Sequence, residues 1–223
     1  HTQRMQLFLQ DESAAIPNTE IMPNYPPDTW AEKNLSGRTR QGQDRIGFVY
    51  VGALDVEHMY LKEFAEFVAG QPDRFYWDIF SNNISETALQ YLKVLKADNI
   101  SFRGAKPYAD LPDLLPAYDV GMVLYKGHLK NFVYNVPNKI YEYHMCGLDV
   151  WFPLQLEGAW ELITTSTYPR ICKVDFEDLA GAASGLLSHE GLSFHRNSFK
   201  AGSAFSTLMT HLRSNMEIHA QDR

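Results

Sequence analysis

The stretch 135–150, NVPNKIYEYHMCGLDV, holds the densest set of groups suited to binding a small anionic ligand. Pro137 fits the first turn of a helix, where its missing N–H costs nothing. A helix starting there presents free N–H groups and the positive end of its dipole, a natural seat for a diphosphate. Asn138 and Glu142 are four apart and share a helix face, with Lys139 close to both. Glu142, further along that helix, can accept two hydrogen bonds from the vicinal hydroxyls of a ribose, the use an acidic residue has in dinucleotide sites. Gly147 then ends the helix and lets the chain turn into a strand.

The surrounding pattern supplies elements that would position these groups. Ile46 to Val51 is a continuous apolar run of strand length, ended by Gly52. Val56, Tyr60, Phe64 and Val68 form one stripe of a helix expected over 56–69, with Phe64 and Phe67 in the core. Phe75 to Phe80 reads as a strand. Asn83 with Glu86 resembles a capping box, opening a helix that buries Ile84, Ala88, Leu92 and Leu95. Strands follow at 100–102, 120–125, 150–152 and 171–174, with helices expected over 111–118, 137–146 and from Phe176 to Leu186. Phe205, Leu208, Met209, Leu212 and Met216 mark a long final helix. Strands that read as apolar runs and alternate with helices predict an α/β domain, a doubly wound parallel sheet covered on both faces. Ligands in such sheets sit at the carboxyl ends of the strands, where strand order reverses. His128 and Asn131 lie in a loop of that kind, 126–135.

Composition narrows the function. The 223 residues carry a net charge of -7, which argues against a nucleic-acid partner. Hydrophobic residues make up 45% of the chain, enough for a full core. Cys146 and Cys172 are too few for a disulfide framework and have no metal-ligand spacing, so both are read as reduced, in a cytoplasmic setting. No apolar run approaches the ~20 residues that a membrane-spanning helix needs.

Residues 137–143 (PNKIYEY) followed by 146–150 (CGLDV) resemble the donor-binding motif of GT-B glycosyltransferases, a Pro-x-Lys-Φ-x-Glu-Tyr helix, a small residue, Gly and a strand. Other stretches resemble that family in the same order. VYVG at 49–52 is similar to its first strand and glycine loop. ISFRG at 100–104, with Tyr108, Leu111 and Leu114, is similar to the segment that meets the nucleotide base. YDVGMVLY at 118–125 is similar to the strand before the donor helix, and IMPN at 21–24 to the hinge. The resemblance covers about 20–190. It implies a Rossmann-like fold, the C-terminal half of a GT-B architecture. It also implies that Glu142 binds ribose, that Lys139 and the helix N-terminus bind phosphates, and that the backbone around Arg103–Gly104 meets the base. Asn138, Gly52 and His128 are candidate donor-binding residues by their positions on the helix face, at the strand end and in the loop.

This chain departs from the family in three places. The earlier of two acidic positions, eight residues before Glu142, is Tyr134. After Gly52 it offers Asp55, His58 and then Lys62 rather than an Arg and a Lys. The usual Gly-x-Pro-Val is Gly147-Leu148-Asp149-Val150. Bland readings stand beside the functional ones: Glu142 as a solvated charge, Lys139 as its ion-pair partner, Gly52 and Gly104 as turns, His128 as an inert loop residue. His144 and Cys146 are expected to be packing residues.

The division expected is 1–24 as hinge and remnant of an acceptor domain, 25–45 as linker, 46–190 as nucleotide-sugar-binding domain, and 191–223 as a C-terminal helical segment. Arg4 to Ile16 suggests a short helix and Glu20 to Met22 a strand. The function expected is donor binding in a glycosyltransferase of polysaccharide biosynthesis, with a nucleoside-diphosphate sugar as substrate and no cofactor or metal. The acceptor (glycan, lipid-linked or protein) is left open. In the full-length protein a peripheral membrane position is compatible with this reading, and the isolated polypeptide is expected not to turn over. Rival readings are a non-catalytic partner subunit and a GT-B-shaped nucleotide-sugar epimerase. The apolar terminal segments are expected to contact one another or a neighbouring chain.

Overall fold

The computed structural model describes residues 22–32, 45–186, 188, 190–195 and 199–221. The expected helix at 4–16, strand at 20–22 (Met22 apart) and most of the linker lie outside them.

Six strands form one parallel sheet: β1 (Ile46–Val51), β2 (Phe75–Phe80), β3 (Ile100–Phe102), β4 (Val120–Met122), β5 (Asp149–Pro153) and β7 (Ile171–Val174). Their order is β3-β2-β1-β4-β5-β7, so the direction of travel across the sheet reverses between β1 and β4. Phe48 pairs with Val120 and Val49 with Gly121 across that boundary. A small second sheet pairs β6 (Thr167–Tyr168) with β8 (Ser193–Phe194).

Alternate residues of β1 serve opposite layers, as the pleat requires. Phe48 and Tyr50 enter one core with α2 (Leu61–Ala69), α3 (Glu86–Leu95) and α7 (Leu179–Leu186). Val49 and Val51 enter the other with α4 (Leu111–Leu114) and α6 (Asn138–Met145). Phe64 is fully buried, its ring edge-on to Phe48 at 5.1 Å and to Trp77 at 4.9 Å. Phe67 packs on that core from its margin. The expected doubly wound α/β fold is present, with both faces of the sheet covered.

Several boundaries differ from expectation. The helix read as 56–69 begins at Leu61. Asp55 first accepts the His58 backbone N–H at 2.6 Å, making a turn that side-chain periodicity does not register. The cap of α3 is Ser85, whose hydroxyl accepts the Ala88 N–H at 3.2 Å, so the Asn83–Glu86 box does not form. Ile84, Leu92 and Leu95 are only partly buried beside the buried Ala88. The strand read as 120–125 ends at Met122, and Tyr125 forms a lone bridge with Met59. The helix read as 111–118 is α4 followed by the 3₁₀ turn Leu115–Ala117. Pro137 is the N-cap of α6 rather than its first residue.

Within the stretch read as linker, α1 (Thr29–Glu32) packs on the domain. Trp30 is buried and its ring lies 5.1 Å from that of Tyr108. Tyr25 meets Tyr141 at 4.8 Å and Phe199 at 5.3 Å. Pro26 and Asp28 accept the Ala201 and Gly202 N–H groups, holding the start of α8 (Ala201–Gln221). On α8, Phe205, Met209 and Leu212 are exposed. The contact expected between Phe8 and this helix falls outside the described residues. Among the described residues no helix is long and apolar enough to cross a membrane.

Candidate nucleotide-sugar site

The helix α6 is locked against the sheet by Tyr143. This fully buried side chain accepts the Val51 N–H at 3.0 Å through its hydroxyl, and its ring fills the space beside Gly121 of β4. Both strands flanking the order reversal therefore hold the same tyrosine. At the other end Gly147 adopts φ +82° directly after the Cys146 cap, the left-handed conformation that suits glycine, and ends the helix as expected. His144 and Cys146 are buried, as packing residues should be.

Lys139, in the first turn of α6, reaches Gly52 at the end of β1. A Cβ on Gly52 would lie 2.8 Å from the Lys139 Nζ and 2.9 Å from its Cε, and Gly52 has φ +132°. The backbone angle requires glycine there, and the absent side chain leaves room for the lysine tip. The ammonium lies 3.4 Å from the Tyr125 hydroxyl and 5.6 Å from the ring centres of Tyr50 and Tyr125. No carboxylate pairs with it among the described residues, so the expected alternative of a direct Lys139–Glu142 ion pair is not what the geometry shows. Lys139 thus stands at the end of β1, beyond the last β1–β4 pair, Val49 with Gly121.

Glu142 is half-buried on the same helix. Burial pushes its carboxyl up from the ordinary glutamate value, while Lys139 and hydrogen bonding by Tyr108 pull it down. The Tyr108 hydroxyl is itself raised by burial and by the Glu142 charge. Asn138 is half-buried beside Lys139.

On the β3 side, the Arg103 guanidinium is held by Asp78 at 3.1 Å, and Asp78 also accepts the Tyr118 hydroxyl at 2.7 Å. The Arg103 N–H and the Gly104 carbonyl are spent on β2 residue Ile79 and on Ser81 just beyond it. Gly104 has φ +70° and nothing within 4 Å of where a Cβ would point, so its outer face is open.

His128 is exposed on the loop after β4, and Asn131 sits in the short helix α5 (Lys130–Val133) that follows it. The His128 ring stacks on that of His58 at 5.4 Å, and Phe132 stands edge-on to both at 6.1 Å. In the sequence His58 stands out only as a departure from the family pattern; what marks it is position, three residues beyond Asp55 on the loop after β1. The structure thus brings Lys139, in the first turn of α6, to Gly52, with Asn138 next to it in the chain and Glu142 one turn further along the helix. His128 joins through Tyr125 and Phe132, whose rings stack at 5.3 Å, and Arg103 and Gly104 stand across the β3 end.

A separate cavity of about 480 Å³ lies beside α2 and the start of α7, lined by Glu63, Glu66, Glu177 and Asp178 over Phe67 and Phe176. Four carboxylates make it hostile to phosphate.

No protein-family model and no curated protein sequence matches the chain. Solved structures do. The chain aligns with Anabaena Alr3699/HepE, crystallised with UDP and glucose, at TM-score 0.64 and 15% identity over 95% of this chain and 61% of that one. A glycosyltransferase from Rickettsia africae ESF-5 aligns at TM-score 0.63 and 15% identity, over 98% and 61%. The lipopolysaccharide outer core galactosyltransferase WaaB, in its apo form, aligns at TM-score 0.57 and 13% identity, over 91% and 56%. The chain spans about three fifths of the length of the solved structures it matches. With its parallel sheet in the order β3-β2-β1-β4-β5-β7, covered by helices on both faces, the chain has the Rossmann-like α/β fold of these GT-B glycosyltransferase structures.

Proposed function

We propose that this domain binds the nucleoside-diphosphate-sugar donor of a glycosyltransferase. The observation that carries the reading is the Lys139 ammonium lying against Gly52, at the start of α6 and at the reversal of strand order. A diphosphate placed there meets a positive charge, the free N–H groups of the helix start and a backbone with no side chain in the way. Glu142 then accepts the ribose hydroxyls, and the open face at Gly104 borders the base. The solved relative crystallised with UDP and glucose supports a donor of this class. The domain's chemical contribution is to stabilise the departing diphosphate by fixed charge. Transfer itself belongs to the whole protein, and the isolated chain binds donor without turnover. We assign it to polysaccharide biosynthesis in the cytoplasm on the same reading.

Calorimetric titration with a panel of nucleoside diphosphates tests this. Glu142→Ala should weaken the best of them by roughly 1–3 kcal/mol, the range for losing a charged hydrogen-bonding partner. Unchanged affinity in a folded variant would remove Glu142 from the site.

A further inference from the structure

The Lys139 ammonium is held in a different way from that of Lys126, the residue after Tyr125. Lys126 has a carboxylate partner, Glu63 at 3.1 Å. A carboxylate would order the Lys139 tip too, but it would also cancel the charge that a phosphate needs. Instead the Lys139 ammonium donates to the Tyr125 hydroxyl at 3.4 Å, with the Tyr50 and Tyr125 ring centres both 5.6 Å away. An ammonium donates more than one hydrogen bond, so the bond to Tyr125 leaves donors for an anion.

We propose that Tyr125 is the positioning residue for Lys139, its hydroxyl holding the ammonium at Gly52 before the donor diphosphate arrives. The inference rests on the donor reading above and adds to it the residue that orders the phosphate-binding charge.

Tyr125 reaches its place without help from Lys139. The chain on either side of it is tied to the loop after β1. The Leu124 carbonyl accepts the Tyr60 N–H at 2.7 Å, and the Lys126 N–H donates to the His58 carbonyl at 2.7 Å. The Tyr125 ring stacks on Phe132 at 5.3 Å and packs against both hydrophobic cores. Tyr50 closes the other side. It is fully buried, and its hydroxyl donates to the Ala53 carbonyl and lies 3.9 Å from where a Gly52 Cβ would stand. The lysine tip therefore has Gly52, Tyr50 and Tyr125 around it, none of them a carboxylate. A lysine's flexible stem loses rotamer entropy whenever its tip is fixed. Fixing it in the empty domain moves that cost from binding to folding, which tightens binding with no new contact to the ligand.

The test is a double-mutant cycle on uridine diphosphate affinity, using Tyr125→Phe and Lys139→Met. Phenylalanine keeps the ring and its stack on Phe132 and removes the hydroxyl alone. Tyr125→Phe should weaken binding roughly tenfold, the low end for a hydrogen bond to a charged group, because 3.4 Å is long for one. In the Lys139→Met background the same change should cost no more than about a factor of two, the scatter of independent sites. A thermal melt of each variant checks that it is folded. An equal loss in both backgrounds would make Tyr125 a structural residue, and no loss in wild type would free its hydroxyl from any role; either result overturns the proposal. Nuclear relaxation of the Lys139 ammonium nitrogen, in the chain without nucleotide, reads the positioning itself. It should report an ordered tip in wild type and a more mobile one in Tyr125→Phe, and equal mobility would also overturn the proposal. Tyr125-dependent order in a folded wild type that binds no uridine diphosphate would contradict the donor reading and leave the seat of Lys139 standing.

Discussion

The ring of Tyr143 occupies the volume where a side chain on Gly121 would stand, and its hydroxyl accepts the Val51 N–H at 3.0 Å. One residue of α6 is thereby keyed into both strands that flank the reversal of strand order. Gly121→Ala must push the Cβ into the Tyr143 ring, and overpacking of this kind costs typically ~1–3 kcal/mol. A lower melting temperature and weaker nucleotide binding are expected together, since the helix carrying Lys139 and Glu142 must shift. A melt and a titration on one variant check this; lost stability with unaltered affinity would show that Tyr143 does not position the site.

That keying is not legible in the sequence, although both residues sit in motifs the sequence displays. Periodicity locates the strands and the helix at 138–145 because the sheet is buried on both faces and its strands are uniformly apolar. It misplaces the start of α2 and the cap of α3 because Asp55 and Ser85 act through side-chain hydrogen bonds, which leave no apolar period. Lys139 and Glu142 are readable from their spacing. The partnership of His58 with His128 is not, since 70 positions separate them and only the β1–β4 neighbourhood joins their loops.

Asp149, which stands where the family has proline, is a structural residue. Its carboxylate accepts the Arg170 Nη2–H at 2.6 Å and Nε–H at 3.0 Å, and its other oxygen accepts the Arg170 backbone N–H at 2.7 Å. Both residues are buried. Arg170→Ala strands a buried carboxylate and should cost ~3–5 kcal/mol. Denaturant unfolding measures it; a cost under about 1 kcal/mol, as for an exposed pair, would contradict a structural role for the pair.

Glu142 bears a cost in the empty domain. Burial raises its folded-state pKa above the ordinary glutamate value, so ionisation is harder folded than unfolded. Its contribution to stability is present below the unfolded pKa and is lost as pH rises through the folded one. Glu142→Gln should therefore melt higher than wild type at neutral pH, with the gap closing on acidification into the carboxyl range. An equal or lower melting temperature at neutral pH would contradict the burial argument.

Cys172 is buried, and burial with the nearby Asp149 charge pushes its thiol up to about 12. Cys146 is buried as well. Both should resist alkylation in the native protein and react on unfolding, because the thiolate is the reactive form. Rapid native labelling of either at near-neutral pH, read by mass spectrometry, would contradict the packing of Cys172 in β7 or of Cys146 at the end of α6.

The central claim is that donor nucleotide binds where β1 and β4 part, against α6. Amide hydrogen exchange with and without uridine diphosphate tests it most directly. The predicted result is slowed exchange at 52–55, along the loop 126–135 and through the first turn of α6, with β7 and the acidic cavity near Glu63 and Glu177 unchanged. A footprint confined to that cavity, or to α8, with the Gly52 loop and the start of α6 unaffected, would contradict it.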